Sequence, residues 1–384
     1  MPVVSLLIKA NKAKGEGMKV HYYCCKIKLS VLALTLAICF TACKKDGSTP
    51  TPEPKPAPLA TLGLYQYASG ANKRIFIPIS QIGTQKVSFF SIFDTGSSGM
   101  TVDAHDLIPA SMITSNGIQV TGDSVNVNGI TITNRTATMK YGDLTGNTTE
   151  YGNLAYAPIT IGNSAGTVTT KRIAFFLYYK IVDETGKQLP EHAADVFGVG
   201  PSRGVAHAAI VSPLDGFTMP ANVARGFKLA KLPAANFNST GSFITNLLTL
   251  GLLPDDLSAS SGFVMHPLSF SNVGGYSPNI PATITYGTTT TNALILFDTG
   301  NPSVSIIENS KETRALGRLP ANTEVTITTN KGFVYKYTTN STGNLTEIQN
   351  PNISGDFRTI MSLDFFINNQ HLTDYTNHQI GLKN

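Results

Sequence analysis

Ser91-Ile92-Phe93-Asp94-Thr95-Gly96 returns later in the chain as Ile295-Leu296-Phe297-Asp298-Thr299-Gly300, a spacing of 204 residues (298 − 94). A single Asp-Thr-Gly says little, because aspartate and glycine are ordinary turn residues. Two copies, each entered by an apolar run of strand type, say much more. They predict two similar lobes, 61–225 and 226–384, each giving one aspartate to a cleft between them. A chain of 384 residues allows each lobe its own core.

Outward from the two copies the chain reads as short β-type runs. Arg74-Ile75-Phe76-Ile77-Pro78-Ile79 and the stretches 86–93, 117–120, 129–133, 171–179 and 331–337 are rich in β-branched and aromatic residues between turn signals. Phe175, Phe176, Tyr178 and Tyr179 are expected to cover a sheet. The 34 glycines suit the many turns of an all-β fold. One helix is expected, over 242–253, where Phe243, Leu247, Leu248 and Leu250 share a face before Gly251.

The formal charge of +5 does not point to a nucleic acid. Residues 1–42 hold Lys9, Lys12, Lys14, Lys19, Lys26 and Lys28 against Glu16, which accounts for all of it. The remainder carries 23 basic (29 − 6) and 23 acidic (24 − 1) side chains, with no basic stripe to neutralise phosphates. The excess belongs to an expected export signal over 1–42, with Met18 as an alternative start. Lysines precede an apolar stretch, 29–40, that is too short for a permanent membrane helix. Phe40-Thr41-Ala42-Cys43 resembles the bacterial lipobox, although that pattern prefers leucine where Phe40 stands. Cys43 is therefore the expected lipidation site, with a cleaved, unlipidated signal as the alternative. Lys44 in place of an aspartate favours the outer membrane, on its periplasmic or surface face.

All four cysteines (Cys24, Cys25, Cys39, Cys43) lie at or before that point. The body thus has no thiol nucleophile, thiolate metal site or disulfide, although export would permit one. The segment 43–60 reads as a stiff tether, whose proline-rich part 44–58 would reach ~45 Å at ~3.1 Å per residue.

Several further motifs carry a family resemblance. Phe93-Asp94-Thr95-Gly96-Ser97-Ser98-Gly99 and Phe297-Asp298-Thr299-Gly300 resemble the two catalytic motifs of the pepsin-like aspartic proteases. Tyr141-Gly142-Asp143 resembles the tip of that family's flap. Asp195-Val196-Phe197-Gly198-Val199-Gly200 and Ile360-Met361-Ser362-Leu363-Asp364-Phe365-Phe366 resemble the strands crossing behind the catalytic loops, and 372–382 its closing hairpin. The resemblance spans 64–382 and implies an all-β, bilobal fold with an active-site cleft.

What it implies chemically is an aspartic endopeptidase acting on a peptide or protein substrate, with no cofactor and no metal. The seven histidines show no metal-ligand spacing. Two carboxyl groups sharing a water cannot both ionise cheaply, so the pair retains a proton. The ionised member takes a proton from water and the protonated one gives a proton to the substrate carbonyl. Asp94 and Asp298 are the expected pair. Gly96 and Gly300 let the loop backbone approach the carboxylates. The resemblance further implies that Thr95 and Thr299 interlock across the lobes and that Ser97 binds the outer oxygen of Asp94. Tyr141 and Gly142 are expected in the lid. Asp143 either helps select substrate or is a solvated turn residue.

Four departures stand out. Asn301 and Pro302 follow the second Asp-Thr-Gly, where the family has a hydroxyl residue; Asn301 differs from it in length and geometry. Ser362 replaces a crossing-strand glycine. The body has no tryptophan, and Thr101 or Val102 lies near the place of the flap tyrosine's usual partner. No inhibitory segment is visible between Cys43 and the first strands. The departures predict weak activity or a shifted pH optimum. They also keep open a rival class, a pepsin-fold protein that grips a peptide, polysaccharide or partner protein without cutting it.

Overall fold

A computed structural model describes residues 55–142 and 146–384, together with the backbone of Asp143. The expected leader 1–42, Cys43 and tether residues 44–54 lie outside the described residues. Lys55–Asn384 forms one compact unit, built predominantly of strands in a 16-stranded and an 8-stranded sheet.

Burial patterns explain the layers. In strand Ile280–Tyr286 the residues Ile280, Ala282, Ile284 and Tyr286 are buried while Pro281, Thr283 and Thr285 are exposed. That alternation suits a sheet with one wet face. Strands Ser98–Asp103 and Val196–Val199 are instead buried at every position, as strands covered on both faces must be.

Each half repeats one arrangement. Strand Gln85–Asp94 runs into the first aspartate and pairs in parallel with Val196–Val199, which pairs antiparallel with Ser98–Asp103. In the other sheet Thr289–Phe297 runs up to Asp298 and pairs in parallel with Thr359–Met361, which meets Val304–Glu308 antiparallel through Ile306 and Ile360. Below the two loops, the Phe93 ring sits 5.7 Å from that of Phe227 and the Phe297 ring 4.3 Å from that of Phe365.

The larger sheet joins distant parts of the chain. Ala60–Ser69 pairs with Ser242–Leu252, and Ala224–Leu229 lies between Ser242–Leu252 and Gln370–Asp374. The expected dividing point at 225/226 falls within Ala224–Leu229. Gln370–Asp374 and Gln379–Lys383 form the expected closing hairpin. The Tyr375 hydroxyl, beside that hairpin, donates to the carbonyl of Val199 at 2.6 Å.

The helix expected over 242–253 is absent; Ser242–Leu252 is a strand. Leu248, Leu250 and Leu252 are buried at every second position, and neighbours on both sides satisfy the backbone. Asn246 at φ 61° and Gly251 at φ 86° also break a right-handed helix. Phe175, Phe176 and Tyr178 are fully buried, as expected of residues covering a sheet.

Candidate active site

The two Asp-Thr-Gly loops meet. A Cβ placed on Gly96 would fall 2.4 Å from Cγ of Asp298, and one on Gly300 would fall 2.6 Å from Cγ of Asp94. Each carboxyl thus lies against the glycine of the opposite loop, where no side chain fits. The two carboxyls are close enough for the charge of one to act strongly on the other. Burial, then the charge of Asp94, pushes Asp298 well above the ordinary carboxylate range.

The threonines between them interlock. Thr95 Oγ1 donates to the carbonyl of Phe297 at 2.7 Å, and Thr299 Oγ1 to that of Phe93 at 2.6 Å. In return the amide of Thr95 donates to Thr299 Oγ1, and that of Thr299 to Thr95 Oγ1, both at 3.0 Å. Both threonines are buried, so each bond replaces solvation already lost.

The support of the two aspartates is unequal. Asp94 accepts from the amides of Gly96 (2.7 Å) and Ser97 (3.1 Å) and from Ser97 Oγ (2.6 Å). Asp298 accepts from the amide of Gly300 at 2.7 Å. Asn301, which replaces a hydroxyl residue, turns its amide to the carbonyl of Val304 at 2.8 Å. The crossing strands differ in step. A Cβ on Gly198 would fall 2.7 Å from Ser97 Oγ, so glycine is required there. Ser362 is fully buried, and its amide and hydroxyl contact Ser305 Oγ at 3.0 and 3.3 Å.

Over the pair hangs the hairpin Ile130–Asp143 and Gly146–Ala157, in which Tyr141 pairs with Thr148 and Gly142 with Asn147. Gly142 has φ 125°, and a Cβ there would lie 2.1 Å from the carbonyl oxygen of Gly146. Only glycine fits this tip. The side chain of Asp143 lies outside the described residues. Beneath the hairpin the Tyr141 hydroxyl is buried without a hydrogen-bond partner, and so is Oε2 of Glu150. Glu150 Oε1 accepts from Thr101 Oγ1 at 3.3 Å. Burial raises the Glu150 carboxyl well above its ordinary value, and burial and the Glu150 charge raise the Tyr141 phenol.

These groups line one cleft of about 460 Å³ that includes Asp94, Ser97, Tyr141, Asp298, Asn301 and Arg74. A hollow of about 500 Å³ over Ala282, Ala293 and Thr328 has Glu308 as its one titratable lining residue, so the paired titratable groups gather in the first. Among the described residues no cluster of three or more His, Cys, Asp or Glu side chains could hold a metal ion, and no helix is long and apolar enough to cross a membrane.

The structure thus brings together Asp94, Thr95, Gly96, Ser97, Asp298, Thr299, Gly300 and Asn301, with Tyr141 and Gly142 at the rim. The sequence reading missed Arg74 and Glu150. The one available signal was a charged residue inside a strand that packs against the core, and a lone charge in a strand is commonplace.

No family model matches the chain, and no curated protein matches it in sequence. Solved structures do. An aspartic proteinase from Irpex lacteus matches with TM-score 0.53 and 15% identity, over 84% of this chain and 96% of that one. Basic 7S globulin from soybean matches with TM-score 0.51 and 12% identity, over 85% and 96%. Conglutin gamma, a basic 7S globulin from lupine seeds, matches with TM-score 0.51 and 12% identity, over 85% and 95%. Such identities speak for the fold alone: the chain has the all-β, bilobal fold of the pepsin-like aspartic proteases, with a groove between its lobes.

Proposed function

We propose that the groove binds an extended peptide segment and that the Asp94–Asp298 pair hydrolyses it slowly. One observation carries this reading: two carboxyls, each lying against the glycine of the other's loop, with unequal hydrogen bonding. Asp298, raised by burial and by Asp94, keeps the shared proton and gives it to the peptide carbonyl. Asp94, held by three donors, takes a proton from the attacking water. The water oxygen bonds to the carbonyl carbon; the C–N bond then breaks as Asp94 passes its proton to the leaving nitrogen and Asp298 takes one back from a hydroxyl of the tetrahedral intermediate. Slowness follows from the second loop, where the Asn301 amide is spent on Val304. A developing charge on Asp298 therefore lacks the support that Ser97 gives Asp94.

The same turned amide favours a second reading, in which the groove holds a peptide, polysaccharide or partner protein without cleaving it. Two of the solved structures named above are globulins, which weighs on the same side. Digestion of a mixed peptide library by the purified full-length protein separates the two. Slow cleavage that Asp94→Asn abolishes supports hydrolysis. Binding without any cutting between about pH 3 and 8 establishes the second reading.

We also propose export and lipid anchoring through Cys43, at the outer membrane. The support is the lysine-flanked apolar stretch 29–40 ending in Thr41-Ala42-Cys43. Mass spectrometry of the membrane-extracted protein tests it; an unacylated N-terminal fragment retaining residues 1–42 would refute it.

A further inference from the structure

Arg74 is a cation set into the wall of the cleft. It stands near the start of strand Asn72–Ile82, and its guanidinium lines the same groove as Asp94, Asp298 and Tyr141. The neighbouring Lys73 pins this end of the strand to the opposite lobe. Its amide donates to the carbonyl of Pro302 at 2.9 Å, and its ammonium pairs with Asp364 at 2.8 Å. Arg74 Nη1 donates to the carbonyl of Gly300, in the second catalytic loop. The guanidinium is therefore held in place rather than waving in solvent.

What it lacks is a counter-ion in contact. Among the described residues no carboxylate forms an ion pair with Arg74. The fields of Asp298 and Asp94 reach it, yet burial outweighs them and lowers its pKa. The other arginine of the cleft, Arg358, is engaged with Asp356 at 2.8 and 2.9 Å. A guanidinium has five N–H donors in a planar fork that matches a carboxylate. The bond to Gly300 uses one of these. A cation stripped of part of its water, with donors to spare, is a site for an anion.

We infer that the groove selects peptides that place a carboxylate on Arg74, beside the carboxyl pair. The carboxylate is an aspartate or glutamate side chain or the terminal carboxylate of the peptide. This rests on the reading of the groove as a peptide site and gives that site its substrate class. The Coulomb sum agrees. A pair that keeps one proton carries a single negative charge, so a carboxylate on Arg74 meets that cation at contact range and the pair's charge beyond it, while Glu184 lines the cleft at the hairpin tip by Gly146.

The test measures binding, so that it does not depend on cleavage. Fluorescent octapeptides are titrated onto full-length protein carrying Asp94→Asn, with and without Arg74→Gln. One series steps a single Glu along an acid-free, C-terminally amidated sequence. A second carries Gln in its place, and a third is the Gln series with a free C-terminal carboxylate. At one or two neighbouring positions, or for the free carboxylate, affinity should exceed that of the neutral amide about tenfold. The first pattern identifies a side-chain carboxylate and the second a terminal one. In the Arg74→Gln protein the ratio should fall to near unity, and Arg74→Lys, which keeps charge but not the fork, should leave an intermediate ratio. Should Arg74→Gln not fold, the drop in Arg74→Lys alone decides. Equal binding of acidic and neutral peptides overturns the inference by itself. An unchanged ratio in the Arg74 variants does so too. No binding by any series overturns both the inference and the peptide reading beneath it.

Discussion

Asn301 Nδ2 donates to the carbonyl of Val304 at 2.8 Å, and by doing so leaves Asp298 without the side-chain donor that Ser97 supplies to Asp94. Asn301→Thr puts a hydroxyl within reach of the Asp298 carboxyl. A hydrogen bond to a charged group is worth about 1.5–3 kcal/mol, or about one to two pH units. It favours the ionised form, so the raised pKa of Asp298 comes down. The basic limb of the pH–rate profile should move to lower pH by that amount, and turnover should rise. An unmoved profile would separate Asn301 from the chemistry.

Thr299→Val keeps the shape of the interlock and removes its bonds. The carbonyl of Phe93 loses a donor and the amide of Thr95 an acceptor, both buried. Each orphaned group costs about 1–3 kcal/mol. The urea midpoint should drop by the equivalent of about 2–6 kcal/mol, together with any cleavage. A midpoint equal to that of the parent would show that the two threonines contribute nothing.

Glu150 gives a pH signature with a definite sign. Its folded-state pKa is raised by burial, while the unfolded value is ~4.3. Below the unfolded value both states hold the proton and folding is not penalised. As pH rises past it the unfolded chain ionises first, and stability falls until the folded value is passed. Glu150→Gln removes the titration. It should match the parent near pH 4 and exceed it at neutral pH by about 1 kcal/mol or more. Denaturant unfolding at the two pH values measures this, and a parent that is the more stable at pH 7 would contradict it.

His371 acts on the other side. Burial pushes this imidazole down to about 3, against ~6.5 in an unfolded chain. Stability is intact above the unfolded value and declines as pH falls from there toward 3, because the unfolded chain takes up the proton. At about 1.4 kcal/mol per unit the loss reaches several kcal/mol at the acid end. His371→Phe should flatten the acid limb of a stability–pH curve. If the variant keeps the parent's slope, another group sets the acid limit. The same decline weighs against an optimum at the strongly acidic end, whatever the carboxyl pair prefers.

The sequence made the centre of the molecule legible and its seams illegible. The repeated Asp-Thr-Gly with apolar lead-ins located both loops, because each half builds its loop from contiguous residues. The segment 242–252 was misread because Phe243, Leu247, Leu248 and Leu250 fit a helical face. Pairing with Ala60–Ser69 and Ala224–Leu229 decides otherwise, and partners so far along the chain leave no mark on local spacing. Glu150 meets Tyr141 only because the hairpin sets Met139 against Glu150 and Tyr141 against Thr148, which places the two side chains diagonally on one face. Arg74 meets Gly300 only across the groove. Asn301 was singled out in advance; which way its amide turned needed coordinates.

The sheet that holds Ala60–Ser69 is completed by Gln370–Asp374 and Gln379–Lys383. During synthesis, then, the early strands wait for the last ones. Ala224–Leu229 presents an open edge, prone to pairing with other chains, until the closing hairpin arrives. Such long-range closure makes for slow folding. Dividing the gene between its halves would leave each fragment with unmated strands. The growing chain therefore keeps that edge exposed until Gln370–Asp374 and Gln379–Lys383 have been made.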